Sequence, residues 1–386
     1  MKAMLWALCA TAVSACVTIP PADHAGRLQG ELDRVRMEFG FPGMTAAYVL
    51  GDGSIGAAAS GMADVEAGVP MTEHSPMLAA SIGKSFVAAL CVTLDLEGRL
   101  ALDEPVSRWL GSYDWFDRLP NQESITLRHL LTHSAGLPNH VHMEVFHVEF
   151  AKSGRSPENP LPPDRLVAFI LDKPALFPPG QGWAYSDTGY ILAGLVVEAV
   201  TGQLLFDQLR ERFLLPLALF GTAPADRRDL NGLAVGYMRP DNTFNLPART
   251  LDGHGRLQWH PAVEGAGGGL VSTSPDLARW GAALFAGQAM SGDYLAELFR
   301  SVPVNPEAPG DRYGAGVAIS LSDHFGPVYG HAGWIPGYVS SLRHYPEHGV
   351  TVAFQINTDI GIIDSDERVL AIVEERLARL FIEGEE

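Results

Sequence analysis

The stretch TAAYVLGDGSIGAAA, Thr45 to Ala59, reads as two extended arms around a tight turn. Gly51-Asp52-Gly53 supplies residues that tolerate the backbone of a hairpin turn, and the arms Thr45 to Leu50 and Ser54 to Ala59 are apolar and in part β-branched or aromatic, so a β-hairpin is expected. Just before it, residues 24 to 39 repeat apolar side chains at helical spacing (Leu28, Leu32, Val35, Met37) until Pro42 and Gly43 break the pattern, which predicts an amphipathic first helix. At the far end of the chain, Tyr313 to Asn357 alternates like four short strands. Val369, Ile372, Val373, Leu377 and Leu380 then give 366 to 381 a helical period.

After the hairpin a further strand is expected near Met77 to Ala80. From Ser81 to about Asp252 the sequence reads as helices separated by Pro and Gly loops, among them Ile82 to Glu97, Leu127 to Thr132, Pro163 to Leu171 and Ile191 to Thr201, and another helix follows Leu270. The simplest assembly is an α+β fold in which both ends of the chain build one antiparallel sheet flanked by the terminal helices, with a mostly helical region inserted. The expected division is 27–80 with 262–386 for the α/β part and 81–261 for the helical part.

With 386 residues, 47% of them apolar and 19% charged, the chain has ample material for a core, and disorder is excluded as the main state. The formal charge of −18 repels polyanions, so no nucleic-acid partner is expected. Its three cysteines (Cys9, Cys16, Cys91) have no paired spacing for a disulfide framework or a zinc site, and Cys91 reads as a small buried hydrophobe. Lys2, the apolar run Ala3 to Val13 and the small residues that follow make residues 1–15 a signal peptide, too short to span a bilayer. The tetrad Val13-Ser14-Ala15-Cys16 resembles a bacterial lipobox. That resemblance implies lipidation of Cys16, a tether over 16–26, and, with Val17 rather than an aspartate next to the cysteine, a periplasmic lipoprotein of the outer membrane whose lipid is its one membrane contact.

The chemistry begins at Ser81-Ile82-Gly83-Lys84. At the start of a helix, residues three apart share a face, so the Lys84 nitrogen can reach the Ser81 hydroxyl and serve as its base, and the N-terminal N–H groups suit an oxyanion. Tyr185-Ser186-Asp187 follows a Pro179-Gly180 turn and precedes an apolar helix, which places a phenol on a loop. Gly330-His331-Ala332-Gly333-Trp334 lies on a predicted strand whose glycines permit close backbone approach.

In this order the three segments resemble the active-site motifs of the serine β-lactamase and DD-peptidase superfamily, and in particular class C β-lactamase-like serine hydrolases such as the family VIII esterases. LALDEPV (Leu100 to Val106), ITLRHLLTHSAGLP (Ile125 to Pro138), PGQGWAYSDTGYIL (Pro179 to Leu192) and GGLVSTSPD (Gly268 to Asp276) are similar to that family as well. The resemblance implies a penicillin-binding fold with the site between sheet and helices. It implies that Ser81 is the acylated nucleophile, that Lys84 and Tyr185 share proton transfer, and that the backbone N–H groups of Ser81 and Trp334 form the oxyanion hole. No cofactor and no metal are implied.

Two departures bear on substrate. The second motif usually ends in Asn, and Asp187 here sets an anion beside Lys84, which favours the ammonium and shifts expected proton transfer toward Tyr185. The third motif usually opens with a Lys that holds a substrate carboxylate, whereas His331 is expected neutral. Uncharged esters or amides are therefore expected ahead of peptides ending in a free carboxylate and of β-lactams. Trp183, Tyr190, Trp334 and Tyr338 are candidates to wall an apolar pocket beside Asp187, His331 and Gly333. The alternatives are a D-alanyl-D-alanine peptidase, a β-lactamase, and a catalytically silent envelope module that only binds.

Two other motifs are set aside. Thr132-His133-Ser134-Ala135-Gly136 nearly matches a Gly-x-Ser-x-Gly nucleophile elbow, which needs a strand before the serine, but the leucines ahead of it repeat at helical spacing. His140, His142, Glu144, His147 and Glu149 are zinc-ligand types without the His-Glu-x-x-His spacing, and they read as a loop at the cleft mouth.

Overall fold

The computed structural model describes residues 23–153, 160–363, 365 and 368–383. The expected signal peptide, Cys16 and the tether as far as residue 22 lie outside the described residues. The first helix, His24–Phe39, starts inside the expected tether because the Asp23 carboxylate accepts the Gly26 N–H and caps it, and it stops at Gly40 with a left-handed φ of 70°. Leu28, Leu32 and Val35 are fully buried, while Met37 is 64% exposed. At roughly 100° per residue, nine residues turn Met37 to the face opposite Leu28.

The strands are β1 (Gly43–Val49), β2 (Ile55–Asp64), β3 (Val69–Pro70), β4 (Met77–Leu78), β5 (Ala223–Pro224), β6 (Leu270–Ser272), β7 (Val302–Pro303), β8 (Arg312–Tyr313), β9 (Ala318–Ser322), β10 (Gly326–Ile335), β11 (Tyr338–Tyr345) and β12 (Val350–Ile356). Nine of them form one sheet in the order β3-β2-β1-β12-β11-β10-β9-β8-β7. The N-terminal hairpin joins the C-terminal strands through β1 and β12, with Met44 opposite Ile356 and Tyr48 opposite Val352. This is the expected antiparallel sheet made from both chain ends. The strand expected near Met77 is β4, but it belongs to a separate small sheet, β4-β6-β5, and Leu270 begins β6 before the helix it was expected to open.

Alternation along β1 assigns the two faces. Met44, Ala46 and Tyr48, with Val352 and Phe354 of β12, pack under the terminal helices His24–Phe39 and Val369–Ile382, which contribute Leu28, Leu32, Val35, Val373, Leu377 and Phe381. Ala47, Leu342 and Ala353 face the other way and join a core built from Leu277, Trp280 and Leu284 of the helix Ser274–Phe285 and from the inserted helices. Thr45 reaches across to the Ser274 hydroxyl at 2.7 Å.

The helix Gly83–Leu96 is buried almost all round, as its apolar composition demands. Phe86 stacks on Trp280 with ring centroids 3.9 Å apart, and Trp280 Nε1 donates to Ser85 Oγ at 2.8 Å. Cys91 is buried as expected, its thiol pushed up to about 12 by burial, which makes it inert. Ser134 follows the helix Leu127–Leu131 rather than a strand and is buried against the Thr132 hydroxyl, so the elbow geometry is not formed.

Candidate active site

Ser81 sits in a single 3₁₀ turn, Ala80–Ile82, directly ahead of the helix Gly83–Leu96. Ala80 holds a left-handed φ of 50°, a conformation that costs a non-glycine residue roughly 1–2 kcal/mol, so the turn is kept in place by what packs around it. Three glycines let backbone press against it. A methyl group on Gly268 would fall within 3.0 Å of the Ala80 carbonyl, and one on Gly83 would meet Gly268 Cα at 3.0 Å. One on Gly333 of β10 would fall within 3.0 Å of the Ala79 oxygen.

Lys84 is fully buried, one helical turn beyond Ser81. Its Nζ lies 3.0 Å from Ser81 Oγ and 2.6 Å from Asp187 Oδ1, and it also donates to the Gly267 carbonyl. Three acceptors around one nitrogen, one of them a carboxylate, use all three N–H bonds of an ammonium. Asp187 opens the helix Asp187–Thr201, and Asn139 grips it from both sides: Asn139 Nδ2 donates to Asp187 Oδ2 at 3.0 Å, and Asn139 Oδ1 accepts the Asp187 N–H at 3.2 Å. Burial opposes ionisation of this carboxyl, but attraction and hydrogen bonding from Lys84, together with His140 and the Asn139 amide, hold it well below the usual carboxylate range.

Tyr185 lies on the loop ahead of that helix, its ring 4.9 Å from Lys84 Nζ. Enclosure, and after it the negative Asp187, push its phenol well above 10, against a hydrogen bond with Ser81 that acts the other way. Tyr185 is therefore a neutral phenol at rest. The loop is fixed from behind by His133, whose ring is 4.1 Å from that of Tyr185 and whose Nδ1 accepts the Ser186 N–H at 3.2 Å.

On the other side, β9 pairs with β10 only as far as Gly330, so His331 to Ile335 form a sheet edge without a partner strand there. His331 is buried, with Nε2 2.7 Å from the Tyr313 hydroxyl and Nδ1 against the Ala332 carbonyl. Burial first and Lys84 second pull its imidazole down to about 3, so it is neutral, as expected. With both ring nitrogens engaged inside the protein, it offers no cation to a substrate carboxylate. Trp334 is 39% exposed and donates to Asp359 Oδ2 at 3.1 Å.

A cavity of about 390 Å³ opens in front of Ser81, Tyr185, Asp187, His331 and Gly333. Its wall corrects the sequence reading. Trp334 lines it, but Trp183, Tyr190 and Tyr338 do not. Tyr190 and Tyr338 are core residues whose hydroxyls donate to the Leu131 and Ala234 carbonyls, each at 2.7 Å. The aromatic wall comes instead from Phe146, Phe150 and Phe244, with Ile362 and Ile363. The histidine-rich segment is mostly used internally: His140 Nδ1 is 2.9 Å from Thr188 Oγ1, His147 Nε2 is 2.7 Å from the Val141 carbonyl, and only His142 reaches the cavity. Among the described residues no group of three or more His, Cys, Asp or Glu side chains is placed to hold a metal. Glu264, which no motif marked, also lines the cavity.

A serine in the turn that leads into a buried helix, a lysine on that helix's first turn, a phenol beside them and a sheet edge opposite define a penicillin-binding-type fold with a hydrolase cleft. The Beta-lactamase family model matches residues 30–375, and the chain belongs to that family. It is a serine hydrolase of the β-lactamase-related kind. Penicillin-binding protein 4* of Bacillus subtilis is 26% identical over 307 residues, 78% of this chain, and the match spans 64% of that longer protein. Esterase EstB of Burkholderia gladioli is 28% identical over 358 residues, covering 82% of this chain and 88% of the esterase. The crystal structure of D-amino acid amidase from Ochrobactrum anthropi superposes with a TM-score of 0.76 at 26% identity, covering 95% of this chain and all of that one.

Proposed function

We propose that the protein cleaves esters or amides that lack a free carboxylate, through an acyl-enzyme on Ser81. The observation that carries this is the Ser81 hydroxyl, 3.0 Å from Lys84 Nζ, opening on an aromatic-walled cavity with no lysine or arginine among its lining residues. The esterase and amidase names of two relatives fit it. In this reading Ser81 Oγ attacks the substrate carbonyl carbon and passes its proton to Tyr185 Oη, while the phenol's own proton goes to the leaving oxygen or nitrogen. A neutral phenol suits this exchange, because it accepts and donates without carrying charge at rest. The Lys84 ammonium, anchored by Asp187, stabilises negative charge as it grows on Ser81 Oγ and Tyr185 Oη, and the N–H groups of Ser81 and Trp334 receive the carbonyl oxygen. Water then attacks the acyl carbon, its proton returning through Tyr185 to Ser81. His331, neutral here, takes the place of the lysine that would hold a carboxylate, and Asp187 adds an anion to the cavity, so β-lactams and C-terminal carboxylates are disfavoured. The lipobox-like tetrad ending in Cys16 supports placing this activity at the bacterial cell envelope, on a periplasmic lipid-anchored protein.

The test is a side-by-side rate assay on a short-chain nitrophenyl ester and on nitrocefin, with Ser81→Ala as control. Ester cleavage that depends on Ser81 and exceeds nitrocefin turnover is expected. Dominant nitrocefin turnover would overturn the substrate reading, and no Ser81-dependent turnover of either would favour a binding module.

A further inference from the structure

We propose that Glu264 is a specificity residue of the acyl site that takes a positively charged amino group of the substrate, so that the cavity selects esters and amides carrying an ammonium near an apolar side chain. The inference deepens the hydrolase reading above and rests on it. Glu264 belongs to the turn Pro261–Gly267, whose last residue offers its carbonyl to Lys84, and it lines the cavity together with Ser81, Tyr185 and Asp187.

The two acids of the cavity are not equivalent. Asp187 has a dedicated cation, Lys84 Nζ at 2.6 Å, and an amide clamp from Asn139. Glu264 has no hydrogen bond and no ion pair with any described residue. Glu264 is part-buried, and a carboxylate without a partner there is unfavourable: burial first and the negative Asp187 second push its carboxyl up to about 7. The lining residues supply no lysine or arginine, and Lys84, whose charge Asp187 already matches, relieves it only in part. The missing partner is one positive charge, and it has to come from what enters the cavity. Opposite the acids, Phe146, Phe150, Phe244 and Trp334 offer an apolar surface, so the complementary ligand is amphipathic, with an ammonium at one end and an aryl or alkyl group at the other.

The titratable groups facing Glu264 are Asp187 and Tyr185 from the loop and helix start, Lys84 from the nucleophile helix, His142 from the histidine segment and His331 from β10. Asp187 and Tyr185 keep their states across neutral pH and His331 stays neutral, so a pH effect that disappears in Glu264→Gln belongs to Glu264 and not to His142.

The experiment compares two probes of equal size, phenethylamine and 2-phenylethanol, binding to Ser81→Ala and to Ser81→Ala/Glu264→Gln, by calorimetry at pH 8 and pH 5.5. A primary alkylamine remains cationic at both, its pKa being close to that of lysine, roughly 10. The expected result is an amine preference of about tenfold or more at pH 8, the size of a charged hydrogen bond, that collapses at pH 5.5 and in the Glu264→Gln variant. Equal affinity for the two probes, no detectable binding of either, or a preference that survives Glu264→Gln would overturn the proposal. The pH arm is read in Ser81→Ala with Glu264 intact and so does not depend on the Glu264→Gln variant folding. Because Ser81→Ala turns nothing over, this outcome is separate from the nitrophenyl ester assay, which decides the hydrolase reading itself.

Discussion

Replacing Gly333 by alanine tests the closest contact between the sheet edge and the nucleophile turn. The new methyl group would lie within 3.0 Å of both the Ala79 carbonyl oxygen and Ser340 Oγ, and 3.1 Å from Ala80 Cβ. None of these atoms yields readily, because Ser340 Oγ donates to that same Ala79 oxygen at 2.8 Å and all of them are buried. Restoring ordinary contact distances of about 3.5 Å requires β10 and the Ala79–Ser81 backbone to separate by something on the order of 1 Å. Overpacking of this kind costs about 1–3 kcal/mol of stability, and a displacement of that size at reacting groups lowers turnover by roughly 10²-fold. The measurement is kcat and KM on a nitrophenyl ester together with a thermal melt. Gly253→Ala is the control, since nothing lies within 4 Å of its added methyl group. Gly333→Ala that melts with wild type and keeps kcat within about threefold of it would refute the claim that the β10 edge is held against Ser81 as part of the site.

Other consequences are equally open to measurement. Tyr185→Phe removes the proton relay and is expected to lower kcat by about 10²–10⁴-fold with KM nearly unchanged; wild-type kcat in steady-state assays would exclude the phenol from proton transfer. The Glu264 carboxyl is raised from 4.5 to about 7, so its contribution favours the folded state fully below pH 4.5 and is lost as pH rises through 7. Glu264→Gln is therefore expected to stabilise the protein at pH 8, by at most about 3 kcal/mol, and to have a smaller effect at pH 4.5; melts at the two pH values that respond identically would contradict the unpartnered carboxylate. Phe244→Ala removes a ring whose centroid is 6.2 Å from that of Trp334 and opens the cavity, so the optimal acyl chain is expected to lengthen; an unchanged chain-length profile would place the acyl group elsewhere.

The parts of this molecule that were readable in the sequence are those governed by local periodicity. The terminal helices, the hairpin at Gly51-Asp52-Gly53 and the helix behind Ser81 each follow from spacing, and Ser81 with Lys84 follows from one helical turn. Met37 continues the apolar run of the first helix, but its angular position, nine residues beyond Leu28, turns it to solvent. β4, β5 and β6 have two or three residues each, too few for alternation to show, and they form only because each meets a partner distant in the chain. The cavity wall was the least legible. Tyr190 and Tyr338 flank the motifs but point into the core, whereas Phe146, Phe150 and Phe244 arrive from segments whose closeness to Ser81 is purely tertiary. The Asn139 clamp on Asp187 spans 48 residues, and Glu264 looks like any loop acid until the enclosure around it is seen. A glutamate four residues ahead of the Gly268-Gly269-Leu270 stretch, in a segment otherwise of small and apolar residues from Ala262 to Gly269, is the one trace of it that the sequence carries.

The central claim is a covalent acyl group on Ser81, and the most direct measurement is mass spectrometry of the protein quenched during turnover of a nitrophenyl ester, followed by peptide mapping. The account predicts an adduct of the acyl mass on the peptide containing Ser81 that is absent in Ser81→Ala. Turnover without any adduct that persists in Ser81→Ala, or an adduct mapping to Ser134, would contradict it.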